Sequence, residues 1–265
     1  MTPAERSVAG ERIVRLLPVL LVAVAVRAAL LWFYERSDLA SCLGMDPSYF
    51  YTSAIRIYHG ELTQGHGLFV GGPLYPYFLA MLMKLVGVDY LRLRLIQGAI
   101  GIATALLIAW LGERLYSRRV GVAAGVASSF CGPLVLGELG FENEFLVTFF
   151  TLAALALLVA CRRSRGAIFG SGLLLGLAAL TRGNQLFAVG LTILWLLATM
   201  GGWRRGLADS ALLVAGVCLA IAPVTIRNYR QYHEFIAISA HGGYVFYLGN
   251  SPQAIYRYRA LSFGD

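Results

Sequence analysis

Two short stretches gather the residue types that do acid–base or metal chemistry in a chain otherwise poor in charge. "GMDPSYFYTSAIRIYHGEL", residues 44–62, holds Asp46, Tyr49, His59 and Glu61, and "GELGFENEF", residues 137–145, holds Glu138, Glu142 and Glu144. A fixed carboxylate can take a proton from a hydroxyl or orient an amine. Carboxylates also suit a divalent cation, Mg or Mn. Arg27, Arg182 and Arg227 complement the acids, because the forked donors of arginine match a phosphate.

Each of these residues has a plainer reading beside the chemical one. Asp46 precedes Pro47, which reads as a helix N-cap followed by proline at the first helical position. Phe50, Ala54 and Ile57 then form an apolar stripe on that helix. Capping and catalysis are compatible, and both stay open. The glutamates at 138, 142 and 144 form either a solvated loop or a crowd of like charges that needs a positive partner: an amine, a metal ion or Arg182. Arg27, inside the first apolar run, either snorkels to the surface or faces the bundle to meet an anionic head group, and Arg182 has the same two readings. "SAHGGYVFYLGN", residues 239–250, with Tyr244, Tyr247 and Asn250, is an interfacial turn with aromatic anchors or a loop that covers substrate.

The rest of the chain must position these groups in a membrane. Of its 265 residues 58% are hydrophobic and 14% charged, and the mean hydropathy is +0.68, which excludes an ordinary soluble domain. The formal charge of +8 sits in short clusters between apolar runs. It reads as an orientation signal and excludes a nucleic-acid partner. The four cysteines form no C-x-x-C pair, which argues against a zinc site or a disulfide framework. Glu35, Arg36 and Asp38 separate the first apolar run from "LASC" at 39–42, so the N-terminus reads as an uncleaved first span.

Runs of about 20 apolar residues predict spans at 14–34, 92–112, 120–138, 144–161, 167–182, 185–201 and 207–226. The fold class is therefore all-α, a polytopic membrane bundle of about seven transmembrane helices. Arginines cluster at 114–119, 162–165 and 204–205, two spans apart each time, which places all three clusters and the N-terminus on the cytoplasmic side. Residues 73–87, short and begun by two prolines, then cannot cross and are expected as an interfacial or re-entrant helix. The first outer loop is 35–91. Residues 1–226 make one membrane-embedded module, and 227–265 begin a further outer loop.

In this order and placement, "MDPSYFYTSAIRIYHGEL", "GGPLYPYFLAMLMKLVG", "GELGFENEFLVTFF", "LAALTRGNQL" and "RNYRQYHEFIAISAHGGYVFYLGN" resemble bacterial membrane glycosyltransferases of the C-type fold. The similarity is to the protein mannosyltransferase-like group, with the aminoarabinose transferases of lipid A as relatives. The resemblance implies transfer of a sugar from a polyprenyl-phosphate donor to a lipid, glycan or protein acceptor, on the outer face of the bacterial cytoplasmic membrane. It puts Asp46 at the catalytic centre, supported by Glu142 or else Glu144 or Glu138. A lipid-phosphate leaving group needs cations to stabilise it, and Arg182, ahead of Arg27 and Arg227, is the candidate. Tyr49, His59, Tyr75, Tyr244, Tyr247 and Asn250 are expected around the substrate, and membrane lipids around the whole. It allows a Mg or Mn ion between Asp46 and Glu142. Gly72 stands where many relatives carry a basic residue before the proline. Relatives are usually longer, so the chain is expected to be their shared N-terminal module. The competing classes are a transporter or flippase for lipid-linked sugars and a non-catalytic assembly subunit. A transporter usually carries ionisable groups near mid-membrane, and the expected spans hold no central acid.

Overall fold

The chain is described by a computed structural model at residues 3–40, 43–62, 69, 71–161, 164–199 and 201–251. Every regular element among these residues is helical. The α-helices are α1 (Pro3–Tyr34), α2 (Met45–Tyr58), α3 (Leu74–Val86), α4 (Tyr90–Leu115), α5 (Arg118–Ser129), α6 (Gly132–Leu139), α7 (Glu144–Ala160), α8 (Arg165–Thr181), α9 (Leu186–Thr199), α10 (Trp203–Tyr232) and α11 (His241–Asn250).

All seven expected apolar runs fold as helices. Length and composition support fewer crossings: the Leu16–Tyr34 part of α1, α4 and α10 qualify, and α5 with α6 counts as a fourth if the bent pair is one span. Helices α7 and α8 have 17 residues each and α9 has 14. At 1.5 Å per residue they are about 21–26 Å long, against a hydrocarbon core of about 30 Å.

The expected single span at 120–138 breaks into α5 and α6 with a bend of 48°. The cause is local. Pro133 lies in the first turn of α6; it has no N–H for the Ser129 carbonyl and its ring would clash there, so α5 cannot run on through it. Just upstream, the hydroxyls of Ser128 and Ser129 donate to the Gly125 carbonyl at 2.8 and 3.0 Å, a back-bonding that bends helices.

Helix α3 has 13 residues, about 20 Å, and like α7, α8 and α9 is shorter than a bilayer core of about 30 Å. Its buried face, Tyr75, Leu79, Ala80, Leu82 and Met83, packs on Phe50, Ala54 and Ile57 of α2 and on Leu93, Phe141, Phe145 and Leu146. The apolar stripe expected on α2 is therefore the buried one. Met81, Lys84 and Leu85 point outward, as an interfacial helix requires. Helix α10 continues past the expected boundary at 226 to Tyr232, so Arg227 stands on a helix rather than in a tail.

Candidate active site

Four elements bring the acids and one arginine together. Asp46 lies in the first turn of α2. Glu142 lies in the turn between α6 and α7, Glu144 opens α7, and Arg182 follows the last residue of α8.

Gly44 is the N-cap of α2, and no side chain caps that helix. The reading of Asp46 as the cap is thus corrected. The first-turn amides have no intrahelical acceptor, so Pro47 is tolerated within that turn as well as at its first position. The helix therefore starts at Met45. Asp46 keeps a favourable place near the positive end of the helix, with its carboxylate exposed and in no hydrogen bond or ion pair among the described residues.

Glu142 is half-buried, and its amide donates to the Gly137 carbonyl at 3.0 Å. Burial, then the charges of Glu144 and Asp46, push its carboxyl up to about 7, with Arg182 acting in the opposite direction. The four groups are therefore one electrostatic cluster. The Glu142 carboxyl, like that of Asp46, has no hydrogen bond or ion pair among the described residues. Glu144 accepts from Arg182 through Oε1, while its Oε2 is buried without a hydrogen-bond partner. Beneath them Tyr75 is fully buried and donates to Gln97 Oε1 at 2.5 Å. Burial, and after it the charges of Glu142 and Glu144, raise its phenol well above the ordinary value.

Backbone contacts close one side of the site. Asn143 Nδ2 donates to the Thr181 carbonyl at 2.8 Å. Gly72 lies so close to the same carbonyl that a Cβ there would sit 1.8 Å from the oxygen. The glycine that departs from the related pattern thus has a steric reason: no side chain fits between this loop and the end of α8. A Cβ on the neighbouring Gly71 would lie 3.3 Å from the Tyr49 ring, so Tyr49 borders the same loop.

Other expected residues lie elsewhere. Arg27 is buried in α1 and bonds Glu138 of α6 through Nε and Nη2, at 2.8 and 2.7 Å. Each neutralises the other inside the bundle, and the cation that acts on Glu142 is Arg182 rather than Arg27. Arg227 stacks on Phe69 at 4.2 Å, donates to Asn228 at 3.1 Å and acts on the Tyr77 phenol. His59 is the C-cap of α2, at the opposite end from Asp46. Tyr247 is exposed on α11, Asn250 donates back to the Phe246 carbonyl at 2.8 Å, and the side chain of Tyr244 lies outside the described residues. Sequence reasoning missed Arg94, Gln97 and Phe141, which hold the turn that carries Glu142. The spacing of Arg94, Gln97 and Gly101 on one face of α4, i, i+3 and i+7, was the available signal.

Among the described residues no three His, Cys, Asp or Glu side chains group as a metal site. A divalent cation would take Asp46 and Glu142 from the chain. Magnesium often binds one or two carboxylates and completes its shell with phosphate and water, and two carboxylates with no other partner fit that role.

Comparison with curated proteins and with solved structures finds no match for the chain. A family model described as dolichyl-phosphate-mannose-protein mannosyltransferase matches residues 70–226, more than half of the chain, and with the helical membrane fold and acidic site already in view, the protein belongs to that family.

Proposed function

We propose that this membrane glycosyltransferase takes a sugar from a polyprenyl-phosphate donor and passes it to a hydroxyl or amine of a lipid, glycan or protein acceptor, at the outer face of the bacterial cytoplasmic membrane. The observation that carries the reading is the convergence of Asp46, Glu142, Glu144 and Arg182 from four separate elements, with two of the acids unpartnered. The family match begins at residue 70, so the part given to Asp46 rests on this convergence and on the resemblance of its own stretch. In this reading α7, α8 and α9 also cross the membrane. Arg114 and Arg118 flank the turn between α4 and α5, Arg165 opens α8, and Arg204 and Arg205 lie at the start of α10. Arg182 is at the other end of α8 from Arg165, which supports putting the acidic cluster on the side away from the cytoplasm.

The exposed Asp46 carboxylate takes the proton from the acceptor hydroxyl as its oxygen bonds the anomeric carbon. The bond from that carbon to the phosphate oxygen breaks, and its electron pair leaves on the lipid phosphate. The free donors of Arg182 receive that charge. An ionised Glu142 beside Asp46 adds negative charge that favours the positive charge developing at the anomeric carbon. A cation held by Asp46 and Glu142 would supply further neutralisation of the phosphate.

The test is transfer of a labelled sugar from a purified polyprenyl-phosphate donor by the full-length protein in lipid nanodiscs and in sealed vesicles. Release of the label onto an acceptor is expected. Label that crosses the vesicle membrane still attached to its lipid, with none transferred, would overturn the reading in favour of a transporter.

A further inference from the structure

Arg94, near the start of α4, is 1% exposed. Burying a guanidinium is costly unless its donors are met, and here each edge of the fork is used. Nε donates to the Leu139 carbonyl at 2.9 Å, Nη1 to Glu35 Oε1 at 2.6 Å and Nη2 to the Ala40 carbonyl at 2.8 Å. The rings of Tyr34, Phe141 and Tyr90 surround its centre at 4.7, 5.2 and 5.3 Å. One turn along α4, Gln97 Nε2 donates to the Glu138 carbonyl at 3.0 Å. Helix α4 thus grips two consecutive carbonyls at the end of α6.

The chain then turns through Phe141, which is fully buried at a φ of 59°. A non-glycine residue in this left-handed region is strained. Glycine would relax the turn but would lose the ring, which is wedged against Tyr51 at 5.8 Å and Tyr90 at 5.6 Å and under the Arg94 guanidinium. The next residue is Glu142. Its position therefore depends on a strained turn held from one side by a buried cation 45 residues away in sequence.

We infer that Arg94 is a positioning residue for the Glu142 carboxylate: together with Gln97 and the Phe141 ring it sets the direction in which that side chain leaves the turn toward Asp46. The inference rests on the reading that Glu142 serves sugar transfer. It also predicts a requirement for arginine, because the single compact ammonium of lysine cannot reach Leu139, Glu35 and Ala40 together.

The experiment is a double-mutant cycle on the full-length protein, with Arg94→Lys, Glu142→Gln and the pair, read as kcat and donor KM beside the yield of folded protein. Arg94→Lys is expected to lower kcat by about tenfold to a hundredfold, the effect of misplacing a catalytic group by about 1 Å, with donor KM within about twofold of native because Arg182 is untouched. In the Glu142→Gln background the same change should cost less than about threefold, since contacts that act through one group are not additive. A Glu142→Gln variant with native kcat would remove the functional reading, and this inference with it. A slow Glu142→Gln variant on which Arg94→Lys still exacts its full factor would leave the functional reading standing and overturn the inference. A native kcat in Arg94→Lys, or a fall in kcat matched by a rise in KM, would overturn it equally. Phe141→Leu, which keeps apolar bulk but removes the ring beneath the guanidinium, runs through the same cycle with the same expected non-additivity and decides the matter if Arg94→Lys does not fold.

Discussion

Arg182, at the end of α8, donates to Glu144 in the first turn of α7, and this pair joins the two helices at the mouth of the acidic cluster. The side chains are 49% and 43% exposed, so the pair contributes about 0–1 kcal/mol to stability. The other guanidinium nitrogens of Arg182 bond nothing among the described residues.

Replacing Arg182 with alanine should therefore leave the melting temperature in detergent nearly unchanged. Donor KM should rise roughly tenfold to a hundredfold, the worth of about 1.5–3 kcal/mol for a hydrogen bond to a charged group. Steady-state kinetics at varied donor concentration separate the two effects. An unchanged donor KM would reduce Arg182 to a surface partner of Glu144.

Glu142 makes activity and stability move in opposite directions with pH. Its carboxyl is pushed from 4.5 up to about 7 in the folded protein, so between those values the folded state holds a proton that the unfolded chain has released. Stability is accordingly greatest below the lower value, falls as pH climbs through the window and levels off above about 7. Transfer should rise through the upper part of the same window as Glu142 ionises beside Asp46. Glu142→Gln should melt above the native protein at pH 8, match it at pH 4, and lose the rising limb of the rate profile. A Gln variant that keeps both the limb and the native pH dependence of melting would assign the titration to another group.

Gly72→Ala tests the closure of the site. Its methyl would fall 1.8 Å from the Thr181 carbonyl oxygen, a rigid backbone atom, so the loop or the end of α8 must shift. Overpacking of this kind costs about 1–3 kcal/mol, and the shift also displaces Arg182, the next residue. A lowered melting temperature together with a raised donor KM is expected. A variant native in both would mean that the loop is not pressed on α8.

Arg27→Ala should separate folding from donor binding. The substitution strands Glu138 as an uncompensated buried charge, a loss of about 3–5 kcal/mol, while the donor KM of whatever protein remains folded should stay near native. A weakened donor site in a fully stable variant would return Arg27 to the phosphate role first expected of it.

What the sequence disclosed and what it hid divide along chain distance. The stripe at Phe50, Ala54 and Ile57 and the short helix after Pro73 follow from local periodicity and spacing, and the structure shows both. The partners of Arg27 and Arg94 lie 111 and 45 residues away, and no local pattern encodes such contacts. Asp-Pro marks a first turn without fixing the residue at which that turn begins, which is why capping stays open for Asp46 in the sequence and is settled only by Gly44 standing as the N-cap. The bend at Phe130-Cys131 is hidden in the sequence because a window of high hydropathy averages over a break. Gly72 looked like a missing basic group, and only the nearness of Thr181 explains it.

The central claim is that Asp46 removes the acceptor proton, and Asp46→Asn tests it most directly. The Asp46 side chain caps no helix and bonds nothing among the described residues, so the variant should fold and melt like the native protein. Sugar transfer from the polyprenyl-phosphate donor should fall by about two to four powers of ten, the usual worth of a positioned general base, with donor KM little changed. A folded Asp46→Asn protein that transfers sugar at near the native rate would contradict the account.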